Sequence, residues 1–361
     1  MRCVAFYAPM KPPDHPVPSG DREMARALVT ALERNGMKVD QPSSLRVYDG
    51  AGDLAAQTAF MVTAEAEAGR LVASLRDAPP DVWITYHNYY KAPDLIGPRV
   101  CRALNLPYAQ IESSRAKSRL TGRWSGFAAA AEAASDAAAL ILYLTTQDHE
   151  ALERDRPEGQ RLVHLRPFLP LEVLPPIAPG ATKAPMLTAG MMREGDKLAS
   201  YRIIADTLPL LDTPWRLDIA GDGPARPQVE ALMAPFGDRV RFLGKLDRDG
   251  MARAYHGAQL FFWPGVNEAY GMVYLEAQAA GLPVVAQYRP GLRDVLAPAK
   301  YPSPEDGPGA LADCIERLLR DPQLRTNGAE AARMHIAQHH LIGSAARTLG
   351  DALGQLMAGA S

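Results

Sequence analysis

Residues 258–287 read AQLFFWPGVNEAYGMVYLEAQAAGLPVVAQ. The apolar run at 258–264 predicts a buried strand, the apolar spacing at 271–280 predicts a helix, and 282–287 predicts a second strand. Strands that are joined through a helix run parallel in one sheet, because the helix carries the chain back to the starting edge. This stretch therefore predicts an α/β fold with a parallel sheet.

The same alternation of strands and helices occurs on both sides of a proline-rich stretch. Further strands are predicted at 2–8, 81–87, 107–112 and 137–144 before it, and at 186–190, 215–221 and 239–244 after it. The stretch at 166–185 contains six prolines and has no helical or strand period, which is typical of a linker. We therefore expect two doubly wound Rossmann-like domains, at 1–172 and 173–340, that face each other across a cleft.

Composition excludes several classes of protein. The chain has 361 residues, of which 47% are hydrophobic and 22% charged, enough for two globular cores. A net charge of -2 argues against a nucleic-acid binder that relies on broad phosphate neutralisation. The three cysteines lie far apart without a CxxC spacing, so neither a disulfide framework nor a zinc site is predicted. We see no secretion signal and no membrane span, and expect a cytoplasmic protein.

Two glutamates stand in the apolar stretch 258–287. Glu268 lies in the loop after the first strand, and Glu276 lies in the helix. A buried carboxylate without a partner costs several kcal/mol, so a polar ligand is the expected partner. The amides of Gly271, Met272 and Val273 begin the helix and can receive phosphate oxygens or sugar hydroxyls. Gly271 also has no side chain that would keep a ligand away.

The segment EAYGMVYLEAQAAGLPVV at 268–285 resembles the signature of glycosyltransferase family 4, two glutamates separated by seven residues. Residues 217–232 and 239–271 are similar to the motifs that precede it in that family's donor domain. The resemblance covers roughly 185–300, whereas the amino-terminal half is similar only in general layout. It implies retaining enzymes of GT-B fold, whose last helix, here within 341–361, returns to the first domain.

The resemblance also implies roles for single residues. Glu276 would accept hydrogen bonds from the ribose hydroxyls of a nucleotide sugar, and Glu268 would face the hydroxyls of the transferred sugar. Arg193 and Lys197 would hold the diphosphate, and charge-assisted bonds of this kind can stabilise a leaving diphosphate without metal. No metal and no cofactor are expected besides the nucleotide sugar, which is a co-substrate.

Two details concern the nucleotide. The family places its arginine directly after the strand glycine, but here Met191 and Met192 intervene before Arg193. Leu243 lies in the segment that in the family lines the base slot, which favours uracil and hence a UDP-sugar.

The amino-terminal half supplies further candidates. Ser19, Gly20 and Asp21 follow the first strand and precede a helix, so they suit either a helix cap or a loop that faces phosphate. His87 ends the strand at 81–87, where members of the family often place a histidine near the donor sugar. A histidine with ordinary internal partners would have the same position in the sequence.

A basic stretch at 112–126 contains four basic residues and one acidic residue. Such a run is typical of a solvated face, and it also suits a docking surface for an anionic acceptor or lipid headgroups. The acceptor candidates are Tyr89, Tyr90, Arg115, Lys117, Arg119 and Trp124. Tyrosines packed inside the protein would give the same pattern for the first two.

The favoured hypothesis is a retaining, metal-independent hexosyltransferase that uses a nucleoside diphosphate sugar. The acceptor stays open between a lipid, a polysaccharide such as a bacterial cell-envelope glycan, and a small molecule, with peripheral binding to the inner membrane face as an option. Two alternatives remain. One is a glycoside hydrolase that uses Glu268 and Glu276 as its carboxylate pair. The other is a non-catalytic partner subunit with the same fold.

Overall fold

The computed structural model describes residues 1–17, 19–177 and 184–359. The chain forms two compact units. The first unit comprises Met1–Arg166 together with the residues from Ile342 onward, and the second comprises Pro167–Leu341. Of the proline-rich linker predicted at 166–185, residues 178–183 lie outside the described residues.

The first unit is built around a parallel sheet. Its strands are β1 (Cys3–Tyr7), β2 (Lys38–Asp40), β3 (Val82–Asn88), β4 (Tyr108–Ser113), β5 (Leu140–Tyr143) and β6 (Arg161–His164). Its helices are α1 (Gly20–Arg34), α2 (Leu54–Leu75), α3 (Gly97–Leu104), α4 (Ser125–Ala137) and α5 (Thr146–Arg154). The strand order is β2-β1-β3-β4-β5-β6, and each neighbouring pair is parallel. The central strands are buried because helices cover both faces of such a sheet.

The second unit repeats this architecture with five strands. They are β7 (Met186–Ala189), β8 (Leu217–Ala220), β9 (Val240–Gly244), β10 (Leu260–Phe262) and β11 (Val284–Val285). The helices are α6 (Asp196–Thr207), α7 (Arg226–Met233), α8 (Arg248–His256), α9 (Met272–Ala279), α10 (Gly307–Arg320) and α11 (Pro322–His339). The order is β11-β10-β7-β8-β9, again with parallel neighbours. The prediction of two doubly wound α/β domains is confirmed.

The last helix, α12 (Ile342–Gly359), packs against α1 of the first unit. Its buried face includes Leu349 and Leu353. The side-chain amide of Asn35, which caps α1, donates a hydrogen bond of 2.5 Å to the carbonyl of Ala346. Among the helices of the described residues, none has the length and apolarity that crossing a membrane requires.

Two strands of the first unit, β2 and β6, were not predicted from the sequence. Their sequences are KVD and RLVH, and both strands stand at an edge of the sheet. An edge strand pairs on one side only and is partly exposed, so it needs no long apolar run.

Gly221, which follows β8, allows two loops of the second unit to approach each other closely. Its φ is 144°, and a Cβ at this position would lie 1.9 Å from the carbonyl oxygen of Gly190 at the end of β7. The Gly221 amide also donates to the carbonyl of Gly244 at 2.8 Å. The carboxyl ends of β7, β8 and β9 are therefore locked together by backbone contacts.

We expect Gly221→Ala to lower the free energy of unfolding by about 3 kcal/mol, because the added methyl group clashes with the Gly190 carbonyl. Gly36→Ala is the control. Gly36, which follows the cap of α1, also has a positive φ, 72°, but open space surrounds its Cβ position, so the expected cost is about 1 kcal/mol. Urea unfolding followed by circular dichroism measures both values. Equal losses for the two variants would contradict the close approach.

Candidate functional site

The candidate residues of the second unit lie where the connections of its sheet diverge. The strands β7 and β10 are neighbours, but β8 lies beyond β7 and β11 lies beyond β10. The chain segments that leave their carboxyl ends, 190–195 and 263–271, therefore continue to opposite sides of the sheet. In doubly wound sheets, ligands bind at such a switch point.

A compact charged cluster occupies this switch point. The Lys197 ammonium donates a hydrogen bond to Oε1 of Glu268, and the indole Nε1 of Trp263 donates to the same oxygen at 2.9 Å. Trp263 is fully buried, whereas the Lys197 and Glu268 side chains are 26% and 11% exposed. Oε2 of Glu268 has no partner among the described residues, so the carboxylate is anchored through one oxygen and available through the other.

The loop that carries Glu268 is held from two sides. On one side, the Val266 amide donates to the buried Ser200 hydroxyl at 3.0 Å, and Asn267 donates to Asp196 at 2.9 Å, both on α6. On the other side, a Cβ at Gly291 would lie 2.1 Å from the Glu268 carbonyl oxygen. These contacts fix the backbone on which Glu268 stands, and none of them was predicted from the sequence.

The amino-terminal end of α9 faces the same switch point. Gly271 is its cap residue with φ 60°, and no side chain caps the helix. The amides of Met272 and Val273 stand in the first turn, where a helix offers them no carbonyl partner. Packing also requires a glycine at position 271, because a Cβ there would lie 2.7 Å from the ring of Tyr274.

Glu276 has an internal partner as well. Its Oε2 accepts a hydrogen bond of 2.8 Å from the Tyr255 hydroxyl of α8. Burial raises the pKa of Glu276, while the Tyr255 hydrogen bond and the charge of Arg248 act against that rise. Its Oε1 has no partner within the described part of the chain. Tyr255 was missed because it lies on another helix, 21 residues earlier.

Arg193 is exposed, and no partner of its guanidinium is found among the described residues. The preceding residue, Met192, is fully buried and exchanges backbone hydrogen bonds with the loop after β8, at 3.0 Å to Asp222 and 2.9 Å from Ala225. Of the two methionines that depart from the family pattern, Met192 thus anchors the loop, whereas Met191 and Arg193 are exposed. Leu243, in β9, is half buried.

The candidates of the first unit lie at its own switch point, between β1 and β3. Ser19 caps α1 and accepts a hydrogen bond of 3.3 Å from the Arg22 amide, so its capping role is confirmed, and Gly20 is the first helical residue. His87, near the end of β3, has a φ of 66°, which is uncommon outside glycine. Its Nδ1 lies 3.4 Å from Asp21, on the first turn of α1.

Three carboxylates surround His87. Glu112 in β4 lies 3.8 Å from the His87 Nδ1, and the charge of Asp148 in α5 also acts on the imidazole. Burial lowers the pKa of His87, but Glu112, Asp21 and Asp148 outweigh it and raise the pKa to about 9. Burial raises the pKa of Glu112 to about 7, and the charge of His87 opposes this rise. His87 is therefore cationic at neutral pH.

An aromatic and cationic surface lies beyond this cluster. The rings of Tyr90 and Trp124 are perpendicular at 5.7 Å, and the Arg119 guanidinium lies 5.2 Å from Tyr90 and 5.7 Å from Trp124. Lys91 lies over the same two rings. Tyr89 stands between Tyr90, at 5.7 Å, and the His87 ring, at 4.8 Å.

Two residues of the predicted basic surface have internal partners instead. The Arg115 side chain is only 2% exposed and forms salt bridges of 2.7 Å with both Glu132 and Asp136. These ion pairs do not support its assignment to an acceptor site, because binding an acceptor would have to break them. Lys117 is paired with Asp155 at 2.7 Å. The available basic residues of this surface are Arg119, Lys91 and Arg123.

No group of three or more histidine, cysteine or acidic side chains among the described residues could hold a metal ion. The cysteines Cys3, Cys101 and Cys314 are free thiols.

Part of the chain is similar to known proteins. Residues 185–321 match the family model described as glycosyl transferases group 1. A D-inositol 3-phosphate glycosyltransferase from Corynebacterium urealyticum is 38% identical over 137 residues, which are 36% of this chain and 32% of that protein. The matched stretches span 26–40% of the length of the first curated relatives.

Solved structures resemble the whole chain at low identity. Sucrose-phosphate synthase from Thermosynechococcus elongatus has a TM-score of 0.75 and 19% identity, over 99% of this chain and 100% of that chain. HepE from Anabaena in complex with UDP-glucose has a TM-score of 0.70 and 15% identity, over 98% and 100%. These likenesses concern the fold, which is that of the GT-B glycosyltransferases. Residues 185–321 therefore match the model of the group 1 glycosyl transferases, within a chain of GT-B fold.

Proposed function

We propose that the chain is a retaining glycosyltransferase that takes a sugar from a nucleoside diphosphate sugar, with UDP as the nucleotide. The observation that carries this proposal is the grouping of Lys197, Glu268 and the open first turn of α9 at one switch point. The family match of 185–321 supports the activity. The UDP-glucose held by HepE, a protein of the same fold, supports the nucleotide.

The diphosphate is assigned to the positive groups of the second unit. Arg193 is exposed in the loop after β7, and Lys197 is one turn further along. The amides of Met272 and Val273 add the positive end of the α9 dipole. Together these groups can bind the charge that develops on the leaving diphosphate, so the proposed reaction is metal-independent.

The two carboxylates are assigned to hydroxyl groups of the donor. Each has one oxygen held inside the protein, Glu268 by Lys197 and Trp263, and Glu276 by Tyr255. The second oxygen of each is then free to accept hydrogen bonds from a ligand. We assign Glu268 to the transferred sugar and Glu276 to the ribose.

The proposed reaction needs no carboxylate nucleophile. The bond between the anomeric carbon and the phosphate oxygen breaks, and its electron pair stays on the diphosphate. The acceptor oxygen bonds to the same face of that carbon, and the acceptor proton passes to the departing phosphate. His87 is assigned to a hydroxyl of the donor sugar, to which its cationic imidazole would donate a hydrogen bond.

For the acceptor we propose an anionic lipid or cell-envelope glycan at the inner membrane face. Arg119 and Lys91, stacked on Tyr90 and Trp124, offer cations beside aromatic rings, a combination that suits anionic headgroups. The phosphorylated acceptor in the name of the Corynebacterium relative supports an anionic acceptor.

Glu276→Ala is expected to weaken binding of a UDP-sugar by about 2 kcal/mol, a roughly 30-fold rise in Kd, because a charged acceptor of ribose hydrogen bonds is lost. Isothermal titration calorimetry measures the change. Glu230→Ala is the matched control, since Glu230 is an exposed glutamate paired with Arg226 on α7. An unchanged Kd for Glu276→Ala would remove the ribose assignment.

Arg193→Ala is expected to lower kcat about 100-fold and to raise KM much less, because the diphosphate carries more negative charge in the transition state than in the bound donor. Steady-state kinetics with the nucleotide sugar provide the test. Arg202→Ala, at an exposed position of α6, is the control and should keep wild-type kcat. Wild-type kinetics for both variants would contradict the role assigned to Arg193. Cleavage of glycosides without a nucleotide sugar would instead indicate a glycoside hydrolase.

The pH dependence of kcat/KM tests His87. Its pKa is raised to about 9, so the imidazole carries its charge below that pH and loses it above. We expect kcat/KM to fall as the pH rises through about 9, and His87→Gln to have a lower value without this fall. His256→Gln, a histidine of the second unit whose ring faces backbone carbonyls, should keep the wild-type profile. If His87→Gln showed the same alkaline fall of kcat/KM, the titration of another group would be its cause.

A further inference from the structure

The second unit contains a cavity of about 300 Å³ that the proposed reaction does not use. It lies beside β11, between the segment 297–302 and the helices α10 and α11. Its wall is mainly apolar and includes Val285, Ala297, Pro302, Leu318, Leu324 and Ala332. Ligand sites are concave and mostly apolar, with a small number of polar groups that fix the ligand's orientation. An apolar cavity of this size can therefore receive a small ligand.

Two cations stand at the rim of this cavity. Lys300 and Arg317 both line it and are exposed, and no ion pair of either is found among the described residues. Both also act on the thiol of Cys314, which lines the cavity as well, so they belong to the same end. This end is thus a positive rim above an apolar wall.

The acidic groups nearby leave this charge largely uncancelled. Glu316 is engaged by Arg320 at 2.7 Å and by the amide and hydroxyl of Thr213. Asp321 caps α11 through the Leu324 amide at 2.9 Å. Asp313, next to Cys314, is the remaining carboxylate, against two cations.

The cavity is separate from the candidate donor site. Gln278 of α9 lines the cavity, whereas Glu276 of the same helix belongs to the donor site. Two residues along a helix turn by about 200°, so these side chains lie on nearly opposite faces. The Gln278 amide is fully used, since it bonds the carbonyls of Tyr274 and Val295 and the amide of Ala297. The amide protons of Gln278 are therefore not available to a ligand.

We propose that this cavity binds a small anionic amphiphile, with its apolar body against the wall and its carboxylate or phosphate at Lys300 and Arg317. The volume, at about 30 Å³ for each atom of water size, admits a ligand of roughly ten heavy atoms. The charge of the rim selects the anionic headgroup. This site is independent of the proposed function, because it shares no residue with the donor site.

Octanoate, octyl phosphate and octanol are the probes, titrated calorimetrically into the full chain. We expect both anions to bind at least tenfold more tightly than octanol, and the better of the two to identify the headgroup. Arg317→Gln should weaken the anions at least tenfold, while Arg253→Gln on α8 should not. Equal binding of octanol, or no binding of any probe, would overturn the proposal.

A second measurement locates the ligand. Iodoacetamide labels exposed thiols, and peptide mass spectrometry resolves Cys314 from Cys3, both of which are partly exposed. We expect the better anion to slow labelling of Cys314 at least fivefold and to leave Cys3 unchanged. Gly328→Leu fills the cavity from α11, where a Cβ only touches Pro283 at 3.4 Å, and should abolish both binding and protection. Binding that persists in this variant would place the ligand elsewhere and contradict the proposal.

Discussion

The order of the parallel strands is the constraint on which the candidate site depends. In each unit the first strand is an inner strand of the sheet, and later strands are added first on one side of it and then on the other. The connections that leave two neighbouring strands must then diverge, and a crevice opens at their carboxyl ends. In the second unit this places the Arg193 and Lys197 loop beside the Glu268 loop. In the first unit it places the Ser19 turn beside His87.

The two carboxylates at the switch point of the second unit are tolerated because one oxygen of each accepts a hydrogen bond inside the protein. Lys197 and Trp263 hold one oxygen of Glu268, and Tyr255 holds one oxygen of Glu276. Such anchoring fixes the direction in which the remaining oxygen points, which lowers the entropy that a ligand must lose on binding. It also lowers the free-energy cost of burial, since burying a carboxylate with a hydrogen-bonded partner is far less unfavourable than burying an isolated one.

The sequence predicted the central strands, the helices around the glutamates and the fold class, because these depend on local apolar periodicity. It missed the edge strands β2 and β6, whose stability comes from pairing with a neighbour rather than from their own residues. Side-chain partners were the main failure. Glu132 and Asp136 form salt bridges with the buried Arg115, and Glu112 helps to raise the pKa of His87. All three come from elements other than those of their partners. Only the folded chain brings such residues together.

A thermal unfolding screen of the full chain against UDP-, GDP- and ADP-sugars is the decisive test of donor binding. A ligand present at 100 times its Kd stabilises the folded state by about 2.7 kcal/mol, so the transition of the unit that binds it shifts by several degrees. We expect a clear rise of the unfolding midpoint with a UDP-sugar and a smaller rise or none with the others. Unchanged midpoints with all three at millimolar concentration would contradict the proposed donor binding.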